Sequence, residues 1–315
     1  MKYLVIINCT SRKAAKPSQV LARPPKITKG SQLTTVARDW VKKIDLEKNL
    51  YLAKDLYQGR TIIDTKASVQ ILNKSDVYVV SAGMGLTHFD TSIPSYELTV
   101  VENSQFQQNL EKNNFCIQKW WSVLNKARHG TTTPLCALVS KKTYSKIFIV
   151  MPSSYLDLIR DDLWKADPKK LKNTLIFTSP YGQTKIPSEW GHHCLAYDDR
   201  LEDKKSGYNG TRSDFSQRAF RHFIEHLGLQ DSSIEIAQRR VLACMGRLQI
   251  PALPERRKVQ DEEIIRQIKK NWKKNSGHAH KLLRHLRDDL LISCEQSRFQ
   301  RLWNEIRIEI SPKLL

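Results

Sequence analysis

YLVIINCTSRK, residues 3–13, is the stretch on which the fold turns. Tyr3 to Ile7 form an apolar run rich in β-branched side chains, and its length and composition predict a buried strand. The run ends abruptly in Asn8-Cys9-Thr10-Ser11-Arg12-Lys13. A thiol, two hydroxyls and two cations follow the strand directly, with no glycine to ease the turn. In open α/β sheets, ligands bind beyond the carboxyl ends of the strands, near the point where strand order reverses. If the first strand is central, Cys9 stands at that point.

Outward from this stretch, strand-length runs recur at Leu50–Ala53, Val77–Val80, Lys146–Met151, Thr174–Thr178 and Cys194–Tyr197. Helical spacing falls between them. Thr34–Ile44 gathers Val36, Trp40, Val41 and Ile44 on one face; Ser104–Leu124 reads as one long amphipathic helix. Ser153–Trp164 carries Tyr155, Leu156, Leu158, Ile159 and Leu163, and Ser213–Leu227 ends in Gly228, a suitable C-terminal cap. Strands alternating with helices predict an α/β fold, a mostly parallel central sheet flanked by helices.

Composition changes at Pro251-Ala252-Leu253-Pro254, where two prolines within four residues read as a linker. The expected division is an α/β domain over residues 1–250 and a small C-terminal, all-helical unit over 255–315. The helical patterns there are Asp261–Trp272, His280–Leu291 and a third starting at Ser293, with Gln296 as the partner in a capping box. Three short helices with tight breaks resemble a helix-turn-helix unit. On the third, Arg298, Gln300 and Arg301 are candidate DNA-binding residues. A helical cap on the α/β core explains the same pattern equally well.

The 315 residues carry 52 Lys and Arg against 32 Asp and Glu, a formal net charge of +20. Such an excess repels itself and suits a polyanionic partner. DNA is therefore the first candidate partner, a merely solubilising surface the plain alternative. The basic residues run along the whole chain, which favours a broad face over a disordered arm. Mean hydropathy is −0.49. No apolar run approaches the roughly 20 residues needed to span a bilayer, and the N-terminal run is too short for a secretory signal. A cytoplasmic protein with no membrane partner is expected. Six scattered cysteines without a CxxC predict neither a disulfide framework nor a structural zinc site. His192-His193-Cys194 is a poor metal motif, because adjacent histidines rarely face one ion; no metal and no cofactor are expected.

Cys9 is the candidate nucleophile. Nearby cations and helix N-terminal amides would favour its thiolate, whereas a buried inert cysteine is the commoner fate of the residue. Val77–Val80 runs into Ser81-Ala82-Gly83-Met84-Gly85-Leu86, whose glycines let backbone approach a ligand closely. The loop is neither GxGxxG nor a P-loop, so a dinucleotide or triphosphate site is not indicated. Farther on, Tyr96 is suited to stacking on a base and Glu97 to acid–base work, though a turn with a surface tyrosine fits those residues as well.

Four motifs occur in order: Cys9-Thr10-Ser11-Arg12-Lys13, Ala53-Lys54-Asp55-Leu56-Tyr57-Gln58-Gly59, Ser81-Ala82-Gly83-Met84-Gly85-Leu86 and Ile93-Pro94-Ser95-Tyr96. Together they resemble the YaaA superfamily over about the first hundred residues. Gly83-Met84 departs from the bulky or basic pair usual before the loop's second glycine. Within the superfamily, the likeness to DpdC-type proteins implies hydration of the nitrile of 7-cyano-7-deazaguanine (preQ0) in DNA to the amide, alongside other proteins of a DNA-modification system. On that implication Cys9, Lys13 and Glu97 are catalytic: the thiolate attacks the nitrile, and Lys13 or Glu97 protonates its nitrogen. Asn8, Thr10, Ser11, Arg12, Tyr57, Gly59, Ser81, Gly83, Gly85 and Tyr96 surround the substrate, with Tyr57 or Tyr96 stacking on a flipped base and loop amides stabilising charge. Two other readings remain open: a non-catalytic YaaA-like DNA-binding protein and a helix-turn-helix regulator.

Overall fold

Strand β1, Tyr3–Asn8, is buried along its whole length. The computed structural model describes residues 2–100, 104–252 and 254–310. Contacts divide the chain into two units, Met1–Pro251 and Ala252–Leu315. In the first, β2 (Leu50–Leu52), β3 (Ser75–Ser81), β4 (Gly85–His88), β5 (Ser92–Pro94), β6 (Lys146–Val150) and β7 (Thr174–Phe177) follow β1. Five strands form a sheet in the order β4-β3-β1-β6-β7. β1 pairs in parallel with β3 and β6, β6 pairs in parallel with β7, and the edge strand β4 is antiparallel. The apolar run of residues 3–7 therefore reflects a central strand with neighbours on both edges and cover on both faces.

Helices supply that cover. Phe220 of helix Phe215–Arg221, and Phe223 in the π-turn after it, press on Phe148 of β6 and Phe177 of β7. Helices Leu33–Asp45 and Ile117–His129 pack together and send Trp40 and Trp120 to the β3–β4 turn. Deeper still, the Asp162 carboxylate accepts hydrogen bonds from Trp121 Nε1 and from the amides of Leu135 and Cys136. Burial raises its pKa despite those donors.

Several expectations need correction. Cys194–Tyr197 is not a strand: only Cys194 bridges Ile176, and Leu195 N bonds back to Ile176 O. Ser104–Leu124 is two helices, Gln105–Lys112 and Ile117–His129, because Asn114 takes a positive φ of 61° between them. Ser153–Trp164 likewise breaks into Ser153–Leu158 and Arg160–Leu163. Helices Arg60–Leu72 and Ile234–Met245 went unread, since polar residues interrupt their apolar faces. Gly228 does take a positive φ, +60°.

The second unit holds helices Asp261–Asn271, Ala279–Arg284 and Gln296–Ile310. Its core includes Ile264, Ile268, Leu282, Leu286, Phe299, Leu302 and Ile306. The unit is not purely helical: β8 (Arg257–Lys258) pairs in parallel with β9 (Ile292–Ser293). Ser293 therefore belongs to a strand, and the last helix starts at Gln296. Among the described residues no helix is long and apolar enough to cross a membrane.

Candidate active site

The geometry of β1 places Cys9 one residue beyond the strand, with its amide extending the ladder to Val80 O at 2.9 Å. Strand order reverses at β1: β3 lies on one side, while β6 and β7 lie on the other. Across the β1–β6 side comes Tyr155, from the helix that follows β6. Its hydroxyl is 3.1 Å from Cys9 Sγ. The sulfur thus sits at the switch point and has a polar partner rather than a hydrocarbon wall.

Side chains, not glycine, hold the turn after Cys9. Asn8 Nδ2 donates to Cys9 O at 2.9 Å, and Gln217 Nε2 donates to Asn8 Oδ1 at 2.8 Å. Thr10 Oγ1 donates to Arg12 O and accepts from Gln58 N, and Lys13 bridges Tyr57 in antiparallel fashion. No helix follows Cys9 before Leu33, so the expected helix N-terminal amides are not beside the sulfur.

Below the turn lies a hydroxyl chain. Tyr57 Oη is 2.8 Å from Tyr96 Oη, which is 2.5 Å from Ser81 Oγ. Both rings are fully buried, and burial raises both phenol pKa values, with the Cys9 charge adding to the effect. Tyr155 is raised well above its ordinary value for the same two reasons. These phenols stay protonated and can donate. Lys13 Nζ lies 4.4 Å above the Tyr96 ring, a cation–π contact. Burial lowers the Lys13 pKa, opposed by attraction to Cys9 and Glu97. Lys13 is therefore a stronger proton donor than a free lysine.

The structure brings Cys9, Lys13, Tyr57, Ser81 and Tyr96 into one cluster, with Asn8 and Thr10 shaping its rim. Ser11, Arg12 and Glu97 are exposed. Tyr57 and Tyr96 present no face to a stacking base, because both rings are interior. The glycine loop also differs from expectation. It is the tight turn between β3 and β4, and its amides are taken: Gly83 N and Met84 N donate to Ser81 Oγ, and Leu86 N to Asn125 Oδ1. A Cβ on Gly83 would lie 2.5 Å from the Tyr96 ring, so this glycine serves close packing. Gly85 needs its φ of +66°, and Gly59, with φ +106°, opens helix Arg60–Leu72.

Tyr155, Gln217 and Arg128 escaped sequence reasoning. Tyr155 reads as one more apolar-face residue of its helix and lies 146 positions from Cys9. Arg128 is half-buried; its Nε and Nη1 have no hydrogen-bond partner among the described residues. Burial lowers its pKa, while Asp45, Tyr57 and Tyr96 pull the other way.

In the C-terminal unit the candidate contacts are engaged internally. Arg298 Nε meets Asp261 Oδ1 and Arg301 Nη2 meets Asp261 Oδ2, each at 2.6 Å. Gln300 Nε2 donates to Asn304 Oδ1 at 3.2 Å. Asp261 thus pins the first helix of the unit to the last. His193 of the His-His-Cys triplet is buried with Nδ1 2.9 Å from Thr174 O.

Compared with family models, curated proteins and solved structures, the chain matches none.

Proposed function

We propose that the protein hydrates the nitrile of a 7-cyano-7-deazaguanine base in DNA to the amide, with Cys9 as nucleophile. The observation that carries this reading is the Cys9–Tyr155 pair at the switch point of the sheet, with Lys13 beside it. Tyr155 stays protonated and donates to the thiolate. The sulfur adds to the nitrile carbon, forming a C–S bond, while the displaced π electrons take a proton from Lys13 at nitrogen. Water then adds to the thioimidate carbon. The tetrahedral intermediate expels the thiolate, leaving the amide, and the net change is one water gained. A residue only 4% exposed is reached by a slender group, and a linear nitrile is among the narrowest electrophiles. A base inside a duplex cannot reach it, so the nucleotide is flipped, at a few kcal/mol. Exposed Ser11 and Arg12 stand where the backbone of that nucleotide would pass. The net charge of +20 supports a polyanionic substrate.

The test is mass spectrometry of nucleosides after incubating the protein with DNA containing the cyano base. The expected result is the modified nucleoside heavier by one water. Binding without mass change, or selection of one operator sequence without chemistry, overturns the enzyme reading in favour of a binding protein or a regulator.

A further inference from the structure

A second cluster of reactive side chains lies away from Cys9, between the π-turn His222–His226 and the helix Ile234–Met245. His222, His226 and Cys244 bring one donor atom each within 4.8 Å of one another. The π-turn makes this possible. Its widened i→i+5 bonding, seen in Leu227 N to His222 O at 3.1 Å, sets the two imidazoles side by side with centroids 5.0 Å apart.

We propose that His222, His226 and Cys244 bind a zinc ion, with the fourth coordination position open to a neighbouring cleft. Distance supports this directly. With bonds of about 2.05 Å to nitrogen and 2.3 Å to sulfur at tetrahedral angles, the N···S edge is about 3.6 Å. His222 Nε2 and Cys244 Sγ are 3.6 Å apart. The remaining nitrogen of His222 is already held: Nδ1 is 2.7 Å from Tyr197 Oη, the kind of outer contact that fixes the tautomer and ring of a ligating histidine. Two imidazoles and a thiolate are the ligand set that a borderline-soft divalent ion prefers over calcium or magnesium.

The fourth position is not filled by protein. His226 and Cys244 line a cleft of about 230 Å³ together with Arg240 and Arg247. A water or small anion completes the sphere there, and the two arginines favour the anion. The ion would tie the π-turn to the following helix. The site is independent of the Cys9 reaction.

The test uses the full-length protein, stripped with chelator and titrated with Co²⁺ alone. One equivalent per chain is expected, with a thiolate-to-cobalt charge-transfer band that Zn²⁺ displaces. Cys244→Ser should abolish the band, Cys9→Ser should retain it, and His226→Ala, at an exposed position, should weaken Co²⁺ binding at least tenfold. No charge-transfer band in the wild-type protein, or a band unchanged in Cys244→Ser, overturns the proposal.

Discussion

Replacing Tyr155 with Phe removes one oxygen and leaves the ring. The ring is buried, and its packing among neighbours such as Leu156 and Leu158 survives the change. What is lost is the 3.1 Å contact to Cys9 Sγ. A hydrogen bond to a charged group contributes about 1.5–3 kcal/mol. At about 1.4 kcal/mol per decade, the rate of nitrile attack falls roughly 10- to 150-fold. Single-turnover formation of the amide reads this directly. Iodoacetamide labelling of the Cys9 peptide at fixed pH reads it independently of substrate and should slow over a similar range. Thermal unfolding should move little, since one internal contact of about 1 kcal/mol is lost. A folded Tyr155→Phe protein that reacts within twofold of wild type on both assays would refute the role given to this hydroxyl.

Other outcomes follow from the same geometry. Because burial lowers the Lys13 pKa, its cation is lost at lower pH than that of a free lysine, and the rate falls on the alkaline side below the ordinary lysine range. Lys13→Met should cost about 10²–10⁴-fold and flatten that limb; a limb that persists places the proton donor elsewhere. Arg218 is 1% exposed and bonds Asp214, Glu202 and the carbonyls of Tyr208 and Thr211. Arg218→Met leaves Asp214 buried and unpaired, so urea unfolding should report a loss of about 3–5 kcal/mol, and a loss under about 1 kcal/mol contradicts the assignment. DNA affinity should fall by about 10³-fold or more between about 50 and 200 mM salt if six or more phosphates are neutralised. Salt-insensitive binding would remove DNA from the reading.

The central strand was legible because five consecutive apolar residues cannot be half-exposed, and its polar terminus marked the site. The edge strand β4 was not, since Gly85-Leu86-Thr87-His88 is short and starts at a glycine. Tyr57 and Tyr96 were legible as site residues but not as interior ones: a tyrosine's burial depends on whether a partner such as Ser81 meets its hydroxyl. Tyr155 and Gln217 reach Asn8 and Cys9 through the packing of helices on the sheet, and sequence spacing holds no record of that. The His222-His226-Cys244 cluster was hidden for a further reason. Its histidines are brought together by a π-turn, whose periodicity differs from the helical spacing used to read the chain. Arg298 and Arg301 show the opposite limit: side chains exposed on a helical wheel were engaged by Asp261 from another helix.

Amide formation by Cys9→Ala and Cys9→Ser, measured beside wild type on DNA carrying the cyano base, tests the central claim most directly. Loss of turnover in both variants, with DNA affinity retained, is the predicted result. A Cys9→Ala protein that still adds water to the nitrile at the wild-type rate would place the nucleophile elsewhere.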